Sequence, residues 1–278
     1  MPVKEIFAPH VGRTVKLGRN RPKPGRVRLH FGKYTTAALP TPPLTADYSP
    51  LAATALAEMY GNDSLGDCVI AGGYHLVGVW TGNANAGTSF LATQDQIVKD
   101  YSSIGGYVPG DPSTDQGCDE DTAEQFWTTT GFCDGTKLLG SLAVDATNQT
   151  QCMQALDLFE NLYLGLELPD SYVSPFPSAP GFTWDVGTPD PNNGHCIVAV
   201  GYTAAGLTIC TWGMLGTLTW AALAQLCVQQ SGGQLSVMLS PDQLAKSQAK
   251  APNGYAWADL IADFNAMGGT VPAPAPTP

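Results

Sequence analysis

The run GNDSLGDC, residues 61–68, ends in a cysteine that opens an almost unbroken apolar stretch, CVIAGGYHLVGVW, residues 68–80. Far downstream, GHCIVAVGY, residues 194–202, sets His195 at the head of a short apolar run bounded by glycines. The thiolate, not the thiol, is a nucleophile, and a helix N-terminus with a nearby imidazole is one environment that produces it at neutral pH. A helix that is apolar on every face is a buried one, so residues 68–80 are expected to run through a core. His75, its main polar exception, reads as a hydrogen-bonded core group rather than a partner for Cys68. Asp67 is placed to cap this helix, and its charge beside the sulfur opposes ionisation of the thiol.

Between these two stretches the pattern is mainly helical. A short helix is expected near ATQDQIVKDYSS, an acid-started helix in DEDTAEQFWTTTGF ending at Gly131, and an amphipathic helix from Gln151 in QCMQALDLFENL. The acids Asp115, Asp119, Glu120, Asp121 and Glu124 lack the alternating ligand loop of a calcium site and read as a solvated helix start. YLGLELPD follows as a strand, then a proline-rich loop over 170–193.

Beyond that loop the period changes to that of strands. Residues 195–213 predict a β-hairpin turning at 203–206, which opposes Cys210 to Ala199 and Trp212 to Ile197, on the His195 side. Thr211 is then expected to point away. WAALAQLCVQQ predicts a helix, LSVML a strand, and YAWADLIADFNAMG a last helix before the disordered-looking tail VPAPAPTP.

The 278 residues are 44% hydrophobic and only 13% charged, enough apolar mass for a sizeable core. Net charge is −11, yet nine of the thirteen basic residues fall before residue 34: Lys4, Arg13, Lys16, Arg19, Arg21, Lys23, Arg26, Arg28 and Lys33. Glu5 is the only acid among them. The segment 1–40 therefore reads as a basic, proline-containing extended arm on an acidic body. Nucleic-acid binding by the body is disfavoured; the arm suits an acidic protein surface, nucleic acid or the body's own acidic face. The first thirty residues lack the apolar core of a signal peptide, and no stretch is long and apolar enough for a membrane helix, which predicts a cytoplasmic or particle-associated protein. Seven cysteines without a CxxC pair fit neither a zinc ribbon nor a complete disulfide framework.

In order and spacing, these features resemble the papain-like cysteine peptidases, from about Leu39 to Trp220. Asn62 stands six residues before Cys68, where the family has its oxyanion-hole glutamine, and a side-chain amide can make the same donation. Gly117–Cys118 is similar to the family's glycine-cysteine segment, GHCIVAVGY to its histidine strand, and Thr211–Gly213 to its serine-tryptophan-glycine. Three positions depart. Val69 replaces the usual aromatic residue, and Leu65 replaces the cysteine that would pair with Cys118. Cys210 stands where an asparagine should orient the histidine, and a neutral thiol is a poor acceptor for an imidazole N–H. Asn192, Asn193, Asp190 or a backbone carbonyl are the candidates to orient His195 instead.

The resemblance implies an α+β fold, with a helical subdomain carrying the cysteine packed on an antiparallel sheet or barrel carrying the histidine. Residues 41–235 would form this domain and 236–278 a C-terminal extension. It implies a thiol hydrolase acting on peptide or amide bonds through Cys68, His195 and Asn62, with no cofactor or metal and a peptide or protein as substrate. The alternative reading is a non-catalytic papain-like module, docked by arm residues 1–36 onto a larger assembly such as a virus or phage particle.

Overall fold

The basic arm is the first departure from a featureless extended chain. In the computed structural model, which describes residues 3–23 and 25–271, it begins as a hairpin of β1 (Lys4–Ala8) and β2 (Arg13–Leu17). Ala8, Val15 and Leu17 are buried, giving this short ladder an apolar face. The arm then runs across the body and adds a two-residue strand, β3 (Leu29–His30), parallel to β5 (Gly140–Ala143). Most of the proline-rich tail, residues 272–278, lies outside the described residues.

A nine-stranded, mostly antiparallel sheet organises the rest. Its path is β3, β5, β11 (Gln234–Leu239), β6 (Leu162–Glu167), β8 (Gly194–Tyr202), β9 (Gly206–Thr211), β10 (Met214–Thr219) and β7 (Phe182–Trp184), with β4 (Ala46–Asp47) pairing β8. The alternation of β8 sorts two cores. Cys196, Val198 and Val200 face the helical side, whereas Ile197 and Ala199 face a second core shared with Leu156 and Phe159. The expected boundary at 235 falls inside β11, which pairs with both β5 and β6, so the extension leaves the sheet only after Leu239. It then forms two helices, Pro241–Lys250 and Trp257–Ala266, the first of them unforeseen in the sequence.

The helices legible from periodicity are present. They are Cys68–Ala84, Gln94–Gly105, Glu120–Thr129, Gln149–Phe159 and Trp220–Leu226. The Cys68 helix is buried along nearly its whole length, as its composition requires. Its glycines let neighbours approach: a Cβ at Gly72 would press on the Tyr163 ring, and one at Gly73 would overlap Trp127, itself fully buried and stacked on Phe132 at 4.4 Å. Among the described residues no helix is long and apolar enough to cross a membrane.

The acidic cluster departs from the expected solvated helix start. Asp115, Asp119, Glu120, Asp121 and Glu124 are all buried, because the arm lies over them. Lys16 pairs with Asp115 at 2.9 Å, Arg19 with Glu120 at 2.5 Å, and Arg28 with Asp121 at 2.7 Å; Arg26 lies within 3.6 Å of Asp121. Arg21 pairs with Glu167, Arg13 with Asp63 and Lys33 with Asp263. The basic charge of the arm is thus taken up by the chain's own acidic face. Hydrogen bonding at the helix start is local: Asp119 caps it by accepting from the Thr122 N–H at 2.9 Å.

Gly73→Ala tests the helix packing. Propensity alone favours alanine in a helix by about 1 kcal/mol; overlap with the immobile Trp127 ring is expected to reverse that sign and lower stability by about 1–3 kcal/mol, read by urea denaturation.

Candidate active site

Cys68 is the first residue of its helix and is buried, with an exposure of 1%. The backbone N–H groups of Gly18, from the arm, and of Cys196 donate to its sulfur. Burial nevertheless pushes the thiol up to about 12, and those two donors oppose the rise. Asp67 occupies the N-cap position but makes no capping bond. Burial, with Asp115 nearby, raises its pKa well above the ordinary range, which opposes the charged cap expected.

The surroundings of His195 differ from the expected hairpin by one residue. Tyr202 faces Leu207 and Gly201 faces Thr208, as a turn at 203–206 requires, but a bulge at Val200 then shifts the pairing to Ala199 with Ile209 and Val198 with Cys210. With a side-chain period of two, a shift of one residue exchanges the faces. Cys210 therefore turns into the helical core, where its thiol donates to the Leu56 carbonyl at 3.2 Å. Thr211 comes to the His195 side instead, and its Oγ1 lies 2.7 Å from His195 Nε2. Trp212 also reaches the histidine, through the turn rather than by alternation. Trp212 and Gly213 both have positive φ, 48° and 70°, and form the two-residue connection between β9 and β10. The indole stacks on the imidazole at 4.1 Å and 15°. A tryptophan in that backbone region is sterically costly, and here it holds one face of the ring.

None of the orienting candidates named from the sequence does this work. Asn193 donates to the Leu168 carbonyl and to Asp170, and Asp190 accepts from Asn192. The expectation that Thr211 points away from His195 is thus corrected, because its side depends on the bulge; Gly201, a glycine within a strand, is the signal of it in the sequence. Burial alone brings the His195 imidazole down to about 3. Its Nδ1 is buried without a partner, and among the described residues no hydrogen bond joins it to Cys68. His75 is the core group expected: its Nε2 lies 3.0 Å from the Glu58 carbonyl, and its ring packs on Tyr60.

The arm hydrogen-bonds to residues on either side of this site. Lys16 donates to the Asn62 carbonyl at 3.0 Å, and the Asn62 side-chain amide donates to the Lys16 carbonyl at 3.1 Å. Cys118 N–H donates to the Gly18 carbonyl, Arg19 N–H to the Gly194 carbonyl and Asn20 N–H to the Cys118 carbonyl, at 3.1, 3.1 and 2.9 Å. Only glycine fits at position 18, since a Cβ there would overlap the Gly66 carbonyl. The structure thus brings Cys68 and Asn62 together around one extended stretch of arm, with Gly194, the residue before His195, bonded to the same stretch. Among the described residues no group of three His, Cys, Asp or Glu side chains could hold a metal ion, and all seven cysteines are free.

Neither a protein-family model nor a curated protein matches the chain by sequence. Solved structures do match it by shape. Xylellain, a cysteine protease from Xylella fastidiosa, aligns at a TM-score of 0.60 over 84% of this chain and 97% of its own, at 12% identity. Digestive procathepsin L 3 from Tenebrio molitor larval midgut aligns at 0.54 over 79% and 76%, at 14% identity. The cysteine protease and lectin-like domains of Cwp84, a surface layer associated protein of Clostridium difficile, align at 0.54 over 87% and 62%, at 12% identity. With a cysteine-headed helix packed on an antiparallel sheet that carries the histidine, the chain has the papain-like cysteine-protease fold.

Proposed function

We propose that the protein is a papain-like thiol hydrolase whose site is held closed by its own N-terminal arm. The observation that carries this reading is the state of His195. Its Nε2 is tied to Thr211 Oγ1 at 2.7 Å while its Nδ1 is left without a partner, so the ring is oriented as a base needs to be. With Nε2–H donating to the hydroxyl, Nδ1 carries the free lone pair.

Once the arm leaves, His195 Nδ1 takes the proton from Cys68, and the thiolate attacks the carbonyl of a peptide or amide bond. The Asn62 amide, which in the closed chain already donates to a peptide carbonyl, supports the oxyanion together with a backbone N–H near Cys68. His195 then returns its proton to the departing amine, and water hydrolyses the thioester. In the closed chain the chemistry is suppressed electrostatically as well as sterically. A thiol near 12 and an imidazole near 3 form a neutral pair across the physiological range, not the thiolate and imidazolium that a working dyad requires.

Substitutions in the arm and in the site test this account. Gly18→Val cannot keep the arm against Gly66, and is expected to raise the rate of Cys68 alkylation by iodoacetamide at pH 7.5 by about tenfold or more. Hydrolysis of a mixed peptide library should appear in that variant and vanish with Cys68→Ala; adding His195→Ala should cost on the order of a thousandfold. A freely alkylated thiol with no hydrolysis of any peptide would leave only the fold. In the same opened chain, Thr211→Val is expected to lower kcat about tenfold or more with KM unchanged, whereas Thr211→Ser keeps most of the activity.

A further inference from the structure

The side chain next to the cysteine-bound glycine is handled unlike the other basic side chains of the arm. Arg19 is completely buried, and its guanidinium lies in a recess made for it. Nε donates to Glu120 Oε1 at 2.5 Å, and Nη1 to the Gly232 carbonyl at 2.7 Å. Two acceptors set for two edges of a planar fork suit arginine; lysine, a point charge, would reach one of them poorly. The recess exists because of glycine: a Cβ at Gly165 would occupy the space of the guanidinium and of Glu120, and a Cβ at Gly194 would meet the Arg19 backbone. Glu120 is 1% exposed, and its second oxygen has no partner. An emptied recess would leave a buried carboxylate uncompensated, a strongly unfavourable state.

The backbone around this side chain is held in the manner of a bound peptide. Arg19 N–H donates to Gly194, and the flanking Gly18 carbonyl and Asn20 N–H both bond Cys118. In recognition by strand addition, main-chain bonds supply affinity and side-chain pockets supply selectivity. We infer that the recess formed by Glu120, Gly165, Gly194 and the Gly232 carbonyl is a specificity pocket for arginine, and that the peptides the open site accepts are those presenting an arginine side chain there. Arg19 of the arm is the internal occupant that such a peptide replaces. This rests on the reading of the cleft as a peptide site, but not on Cys68 being reactive.

The test is therefore a binding measurement in the full-length chain carrying Gly18→Val, Cys68→Ala and Arg19→Ala, which lifts the arm from the cleft and removes both the pocket's occupant and the nucleophile. Fluorescein-labelled Leu-Gly-Arg-Asn amide is compared by anisotropy with the same peptide carrying citrulline, the neutral isostere. The arginine peptide is expected to bind at least about tenfold tighter, and Glu120→Gln is expected to erase the difference. Equal affinity, including no measurable binding of either peptide, would overturn the inference. So would an arginine preference that survives Glu120→Gln, which would belong to the acidic surface at large. Should the variant fail to fold, recovery by ethylguanidinium but not ethylurea, read as a regained thermal transition, reports the same pocket, and equal response to both counts against it. Discrimination between the peptides without any thiol chemistry in the opened wild-type site would leave the pocket standing and remove the hydrolase.

Discussion

The buried pair of Arg19 and Glu120 is the contact on which the closed form of the molecule depends. Burial raises the Glu120 carboxyl, the guanidinium beside it draws it back, and the net lies above its ordinary value. A pair of this kind is a poor source of stability when weighed against apolar packing, but breaking it by removing one partner costs about 3–5 kcal/mol, because the other charge stays behind. That asymmetry makes the arm difficult to lift. It also fixes Gly18, one residue earlier, against Cys68, so the surroundings of the thiol follow in part from this ion pair.

The same contact explains why an acidic body with a basic arm folds onto itself. Several of the paired acids are inaccessible, and such carboxylates are tolerated in the interior only with a cation or hydrogen-bond donors. Glu124 shows the intermediate case: burial brings it up to about 7, while Ser141 and Ser236 donate to its oxygens and Arg26 stands nearby. The more exposed pairs, such as Lys33 with Asp263, sit where solvent screening leaves little net energy. The hold of the arm therefore resides in Arg19 and in the backbone ladder around it, more than in its overall charge.

Much of this was legible in the sequence where periodicity carried the signal. The all-apolar run after Cys68, the amphipathic helix ending at Phe159 and the strand that begins at Gly194 are where their patterns place them. What escaped was set by tertiary contacts. The single extra residue at Val200 leaves the hydrophobic alternation readable on either side, yet it decides that Thr211 and not Cys210 meets the histidine. The acids at the start of the Glu120–Thr129 helix look like a solvated helix start until the arm is placed on them. The arm does not announce its hairpin because each strand is five residues long and the exposed Phe7 breaks the apolar alternation.

The central claim, that the arm holds Cys68 and His195 as a neutral pair, is tested most directly by the protonation state of the His195 ring. Nitrogen NMR of the intact chain with labelled histidine, assigned against His195→Gln, should show a neutral imidazole with its proton on Nε2 from pH 8 down to about pH 4, given a folded pKa near 3 against an ordinary value near 6.5. An imidazolium at pH 6 to 7 in the intact chain would contradict it.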